Sequence, residues 1–503
     1  MGRRMIVQYN KGNQTTLLVT GDSPDGYQLQ RTKGAANSAE FVAKRPSAGD
    51  SSSSVQQQPP PQSLLLSLLQ RPVRRVRKTL QATFLPAGYP TSVGSNYLSY
   101  TLWQAVTNFA TTANGVLAST FLLYSVGLGA GAIPTAGALN WVLKDGLGQL
   151  GTLLFGKAIA HNFDIHSKTW YFMSFLLLST ATGLEIATIL APSSFLILGS
   201  TANMVKGLSW MAGGSTRSVF NLSFVRDNNI ADITAKNTSQ YIFASLFGTT
   251  AGVSICAYIG QSAPLALLCF SGLAWTAIYS AYRTVKAIPL PTLNSTRLQL
   301  LAARYLKCIR TSSTGLVGFS SGSYMSYQQP PGYVSYQQEY EVPEDEDDTC
   351  ELELPSPLDL AHQDPPLPWV TADRRILNPA IHVGTQLDKL VQGQPALLVV
   401  LLATFRFQRY LLVPEASAIH MVLHAEAAPR DMVQAYLQAC ILRKCIKAGV
   451  QLSHDNVHEL RIILHDTLLA AEALTPPFMR ALARQGWQTE KIVVEAHRRR
   501  ARW

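Results

Sequence analysis

The run Gly213-Gly214-Ser215-Thr216-Arg217 is the part of this sequence best suited to holding a phosphate. Two glycines let the backbone approach closely, Ser215 and Thr216 offer hydroxyls, and Arg217 offers a forked donor that fits an oxyanion. A lipid phosphate or pyridoxal phosphate would suit such a nest. The spacing is neither that of a P-loop nor that of a dinucleotide fingerprint. The run reads equally as a helix-breaking turn in which Arg217 pairs with Asp232 or Asp227.

Other ionisable groups fall in pairs. Lys144 stands beside Asp145, Asp164 precedes Lys168 by four residues, and Asp232 precedes Lys236 by four. At a solvated helix end such pairs contribute only about 0.2–0.5 kcal/mol each; inside a helical bundle they would be ligand or coupling groups. Glu185 lies within an apolar stretch, where an ionised side chain is expensive, and is expected to face a bundle interior or a partner. The candidate ligand or coupling set is therefore Lys144, Asp145, Asp164, Lys168, Glu185, Gly213, Gly214, Arg217, Asp232 and Lys236.

No catalytic set accompanies these residues. His420 with His424, and His454 with His458, have the spacing that places two imidazoles on one helix face, but neither pair has an HExxH glutamate, so they read as surface histidines and no metal is expected. There is no CxxC. Six cysteines without paired spacing are expected to stay reduced. No cofactor follows from the sequence.

The elements that must position these groups are apolar. Of the 503 residues 47% are hydrophobic and 15% charged, against roughly 25% charged in soluble proteins. The deficit is local, because residues 79–143 and 237–282 contain no Asp, Glu, Lys or Arg. The stretches 241–260 and 264–282 each supply close to the ~20 apolar residues that cross about 30 Å of hydrocarbon, with residues 260–264 as the turn between them. Gly248 and Gly252 form a GxxxG expected to let another helix approach. The stretches 105–127, 170–190 and 192–204 are further helical candidates, giving three to six membrane-associated helices.

The flanks differ in kind. Residues 1–62 carry Ser, Gln and Pro runs and read as a disordered region or transit peptide. Residues 63–69 followed by the basic cluster Arg71, Arg74, Arg75, Arg77 and Lys78 read as an interfacial helix drawn to anionic lipid, or as a segment docked on the core. The net charge of +11 is not built into any nucleic-acid-binding motif, so membrane lipid rather than nucleic acid is the expected partner. Residues 311–368 read as a low-complexity acidic linker. Residues 369–503 read as a small α+β domain: a hairpin at 396–413, helices at 431–448, 456–472 and 475–485, and a last strand at 488–495 closing the sheet. The fold class is thus mainly α, a membrane-associated helical core at 63–310 followed by the linker and the α+β domain.

Several motifs in order resemble the root UVB sensitive family. They are Phe84 to Val93 (FLPAGYPTSV), Tyr97, Tyr100 and Trp103, Trp141 to Gly151 (WVLKDGLGQLG), Asp164, Lys168 and Trp170, GGSTR at Gly213 to Arg217, Asn228 to Gln240 (NNIADITAKNTSQ), and GWQTEK at Gly486 to Lys491. The resemblance implies a membrane-associated protein without established catalytic chemistry. It also implies roles in ultraviolet-B response, development, auxin transport or vitamin B6 homeostasis, and a complex with another family member or with itself. The location it implies is a plastid membrane, with other endomembranes as the alternative. The chain departs from the family pattern at Tyr171, Phe175, Leu178, Ser179, Ser223 and Tyr241, where relatives carry more polar groups, which favours packing roles there. The functional expectation is a non-enzymatic membrane scaffold or adaptor; the alternative is a membrane transporter or binder of a small anionic molecule or cofactor.

Overall fold

The computed structural model describes residues 4–10, 13–20, 28–34, 79–125, 134–160, 163–312, 354–364, 366–367, 378–390, 395–415, 417–450, 457–494 and 500–503. They fall into two units, Met1–Gly94 with Val225–Gln240, and Ser95–Phe224 with Tyr241–Trp503. The basic cluster at 71–78 and the glycine run at 127–131 lie outside the described residues.

In the first unit β1 (Arg4–Asn10), β2 (Asn13–Thr20) and β3 (Gln28–Gly34) form an antiparallel meander in which Arg4 faces Val19 and Thr16 faces Thr32. Composition reads this stretch as unstructured. The β-branched and apolar residues of MIVQY and TTLLVT nevertheless favour strands once three can pair. Elsewhere in the unit, two of the ordered motifs clasp each other. Asp232 accepts a hydrogen bond from the Ala87 amide (2.7 Å), Asn229 donates to the Ser92 carbonyl (2.8 Å), Gln240 to that of Phe84 (2.6 Å) and Lys236 to that of Ala82. A backbone bridge between Val93 and Val225 completes the clasp.

The second unit opens with long helices: α1 (Tyr97–Ser125), α2 (Pro134–Ile159), α3 (Ser167–Ala187), α4 (Phe195–Ser223), α5 (Ile230–Ile259) and α6 (Ala263–Ala287). The first eleven residues of α5 belong to the first unit. Three of these helices, over Ser167–Leu190, Ile230–Ile259 and Ala263–Ala287, are long and apolar enough to cross a membrane. Gly260 at φ +60° makes the tight turn between α5 and α6 where the sequence places it. α3 packs on α4, α1 and α6, while α2 packs on α4. α1 buries Tyr97, Tyr100, Gln104, Thr107, Asn114, Leu117 and Phe121 at helical spacing, so its inward stripe is partly polar. Thr107 is satisfied by Ser280 across to α6 (2.9 Å).

Small residues set the helix spacing. A Cβ on Gly248 would lie 2.5 Å from the Phe109 carbonyl oxygen, and one on Gly252 2.9 Å from that of Ala113, so α5 meets the backbone of α1 there. The α2–α4 seam uses the same device with side chains as neighbours: Gly148 faces Asn203, Gly151 faces Met204 and Gly207 faces Thr152. The outward faces remain apolar, with Tyr258 88%, Trp210 73% and Trp275 72% exposed.

The chain then forms β4 (Thr292–Asn294), α7 (Ser295–Ser312), α8 (Pro357–Gln363), β5 (Ala380–Val383), α9 (Leu387–Leu390), α10 (Pro395–Thr404), β6 (Tyr410–Pro414), β7 (Ala418–Leu423), α11 (Pro429–Lys447), α12 (Val457–Arg484) and β8 (Gln488–Val493). Strand order in one sheet is β5-β7-β6, with β5 parallel and β6 antiparallel to β7, and β8 pairs in parallel with β4. One core holds Leu298, Leu301, Leu354, Leu360, Leu401, Tyr410, Val433, Leu464 and Phe478. This core runs across the boundary drawn at residue 310: α7 packs with the C-terminal elements, because its apolar face is covered by α11. Residues 354–364, assigned by composition to a linker, also contribute to it.

Three local expectations are corrected. The hairpin at 396–413 is instead helix α10 followed by strand β6; an apolar run without alternation fits either state, and packing on α12 and β6 selects the helix. The helices at 456–472 and 475–485 are one helix, α12, continuous through Pro476 and Pro477. The last strand does not close the C-terminal sheet but joins β4.

Gly248→Leu is expected to destabilise the chain by about 1–3 kcal/mol or to prevent folding, since backbone oxygen cannot move aside as a side chain can. Gly272→Ala, with nothing within 4 Å of the added carbon, is expected to be neutral or stabilising. Thermal melts of the detergent-solubilised chain compare the two.

Candidate functional site

GGSTR lies inside α4, not at a turn. Its amides are committed to the helical ladder, so the phosphate nest expected from the two glycines does not form. Gly213 instead lets α4 approach Ser174 on α3, with a Cβ placed 3.2 Å from the Ser174 hydroxyl, while Gly214 opens onto unoccupied space. Arg217 remains as the polar group that this motif turns inward. It is half-buried, its Nε is closed off from solvent without a hydrogen-bond partner, and it holds no carboxylate among the described residues.

Two phenols share this condition. The Tyr100 hydroxyl on α1 and the Tyr171 hydroxyl on α3 are buried and unpartnered, and both residues are 0% exposed. Phe220 and Phe224, at i+3 and i+7 from Arg217, put both phenol rings on the side of α4 that carries the guanidinium. Aromatic packing holds the rings in place: Tyr100 against Phe224 at 5.0 Å, Tyr171 against Phe220 and Phe175 at 5.0 Å each. An unmet buried hydrogen bond costs roughly 1–3 kcal/mol, and more for a charged group. Three on facing helices are an unusual concentration.

Among the described residues of the bundle, Glu185 and Lys144 are paired. Glu185, 3% exposed, takes the ammonium of Lys206 on α4, a partner separated by a helix turnaround that no sequence spacing reveals. Lys144 reaches Asp145 (2.6 Å) and lies over the Trp141 ring (4.4 Å), while Asn203 donates to Asp145 (3.3 Å). Gly199 makes room for the Lys144 stem. Asp164 is exposed, and the carboxylate that Lys168 holds is not Asp164 but Asp364. Asp232 and Lys236, expected to pair with each other, are engaged with the 82–93 segment instead.

Asp364 is the hub of a cluster of charges from several elements. Its carboxylate accepts from Arg297 Nε (3.1 Å) and lies 3.6 Å from Lys168 Nζ; Lys286 donates to the carbonyls of His362 (2.7 Å) and Asp364 (3.1 Å). Arg297 also donates to the Thr292 carbonyl (2.8 Å), and Asn294 bonds the Ile165 carbonyl (3.0 Å) while accepting from the Arg297 amide. The start of α3, the end of α6, α7 and the segment after α8 thus converge on one aspartate, Lys168 and Arg297 at its carboxylate and Lys286 at its carbonyl. Burial acts to raise the Asp364 pKa, but Arg297, Lys168 and Lys286 outweigh it and hold the group below the ordinary aspartate value.

His420 lies in strand β7, not on a helix, with Nδ1 3.1 Å from the Thr385 hydroxyl, and His454 lies outside the described residues. Among the described residues no three His, Cys, Asp or Glu side chains gather as metal ligands. Cys256, Cys269, Cys308, Cys440 and Cys445 are free thiols.

The described residues thus define a helical bundle with an apolar exterior and interior ion pairs, and a C-terminal body tied to one end of it through a buried aspartate. Residues 70–308 match the family model described as "Vitamin B6 photo-protection and homoeostasis domain", and residues 363–503 match "Root UVB sensitive protein, C-terminal". The chain belongs to the root UVB sensitive family. Among its relatives in Arabidopsis thaliana, "Protein root UVB sensitive 2, chloroplastic" is 27% identical over 84% of this chain and 85% of its own length. "Protein root UVB sensitive 3" is 24% identical over 85% and 86%, and "Protein root UVB sensitive 6" is 35% identical over 48% of each chain. No solved structure matches.

Asp364→Asn is expected to destabilise the chain by about 3–5 kcal/mol at neutral pH, because Lys168 and Arg297 would stay buried without their anion. The folded pKa is depressed, so this stability is present above the unfolded value of about 4 and is lost as pH falls through the folded value. Tryptophan-fluorescence melts of wild type are expected to weaken below pH 4, with a shallower dependence in Asp364→Asn.

Proposed function

We propose that the chain is an integral membrane scaffold of vitamin B6 homeostasis, without catalysis of its own, which carries its C-terminal body at one aqueous face of the bilayer. The observation that carries this reading is the position of the Asp364 cluster. Lys286 at the end of α6 and Lys168 at the start of α3 belong to the same end of the bundle, as expected of groups that mark a membrane–water boundary. The apolar faces of α5 and α6 support it, since outward residues such as Ile242, Leu246, Phe247, Leu268 and Trp275 find a natural solvent in hydrocarbon. α5 and α6 also meet the length requirement, at ~1.5 Å per residue.

The vitamin B6 assignment rests on the family model's description, and a plastid membrane on the printed name of one relative. A second copy or another family member is the proposed partner of the C-terminal body. A second reading, a membrane binder of a small anionic molecule, is favoured by the unpartnered Tyr100, Tyr171 and Arg217.

Alkaline carbonate washing of isolated membranes is expected to leave the full chain in the pellet. Complete release into the supernatant would sink the integral reading.

A further inference from the structure

We propose that Arg217, Tyr100 and Tyr171 form the recognition site for an oxyanion of the phosphate class, a proposal that rests on the binder reading above. Lys144, Lys168 and Lys206, the other cations turned into the bundle, each hold a carboxylate. Arg217 holds none among the described residues, and its Nε is buried and unpartnered. A guanidinium presents its charge through a planar fork of N–H donors that matches an oxyanion, so in an apolar bundle it calls for an anion. The hydroxyls of Tyr100 and Tyr171 are donors of the same kind, buried and unused; their rings, from α1 and α3, pack on Phe224 and Phe220, which follow Arg217 at i+7 and i+3 and so lie on its side of α4. Arginine offers two parallel N–H donors and each phenol one more. A phosphate, with several acceptor oxygens and a lasting negative charge, satisfies such a set, whereas a neutral polar molecule leaves the cation unmet.

The half-buried state of Arg217 gives the route of approach. The guanidinium is the partly exposed member of the set and the two phenols are its fully buried members. The glycines of GGSTR then have a role other than a nest: Gly213 allows α4 close to α3, where Tyr171 stands, and so sets the distance between the cation and the phenol.

The test uses the full chain in detergent, titrated calorimetrically with inorganic phosphate, and in nanodiscs with and without phosphatidic acid. Wild type is expected to bind phosphate saturably. Arg217→Gln is expected to weaken binding at least about tenfold, the loss that follows from removing a charged hydrogen bond. Tyr171→Phe removes a hydroxyl that has no partner in the empty chain, so its melting temperature is expected to hold or rise while the phosphate-induced rise shrinks; a purely structural hydroxyl would not separate the two. Binding to phosphatidic acid but not to inorganic phosphate, lost in Arg217→Gln, supports the site and names a lipid headgroup as the source. Silence of folded wild type toward both probes overturns the proposal, as does undiminished binding by Arg217→Gln or Tyr171→Phe. Carbonate release with phosphate binding intact would overturn the membrane reading and leave the site standing.

Discussion

A single buried carboxylate, Asp364, joins the two halves of the second unit. Its position requires cations from three separate elements, and each of those elements needs it in turn: Lys168 opens α3, Lys286 closes α6 and Arg297 begins α7. Isolated ions of either sign would be strongly penalised at this depth, and their mutual attraction together with several hydrogen bonds makes the arrangement tolerable. The cluster therefore acts less as glue than as a geometric condition. The bundle and the C-terminal body can assemble in the arrangement that brings these groups together, and alternatives leave charge stranded.

The same rule organises the bundle interior. With outward faces given over to apolar side chains, polar groups are turned inward and must find partners there. Glu185 finds Lys206, Asp145 finds Lys144 and Asn203, and Thr107 finds Ser280. Glycine makes these meetings geometrically available. Gly199 admits the stem of Lys144, and Gly148, Gly151 and Gly207 bring α2 and α4 close enough for Asn203 to reach Asp145. Against that background Tyr100, Tyr171 and Arg217 stand out as an unmet set drawn from three helices.

Much of this was legible before folding. The absence of charge over 237–282, punctuated near Gly260, marks α5 and α6, and the GxxxG of Gly248 and Gly252 marks a close approach, because both signals are local and depend on side-chain size and polarity alone. The burial of Glu185 follows from the expense of exposing it to apolar surroundings. Other features were illegible for physical reasons. A run such as Pro395 to Thr404 is apolar on every side and has no periodicity to choose helix over strand. Asp364 lies in a stretch whose Pro-rich, acidic composition resembles a linker. The glycines of GGSTR are compatible with a turn or with helix packing, and only the neighbouring Ser174 decides.

Sequence alone thus determined the helical class, the hairpin of α5 and α6 and the interior charges Lys144, Lys168 and Glu185, which follow from composition and short-range spacing, and the family through its ordered motifs. Tertiary structure decided the partners: Lys168 with Asp364 rather than Asp164, Glu185 with Lys206, Asp232 with the Ala87 amide, and β8 with β4 rather than with the C-terminal sheet. Pairing energy depends on distance and burial, and for residues tens to hundreds of positions apart those are fixed only when the helices have packed.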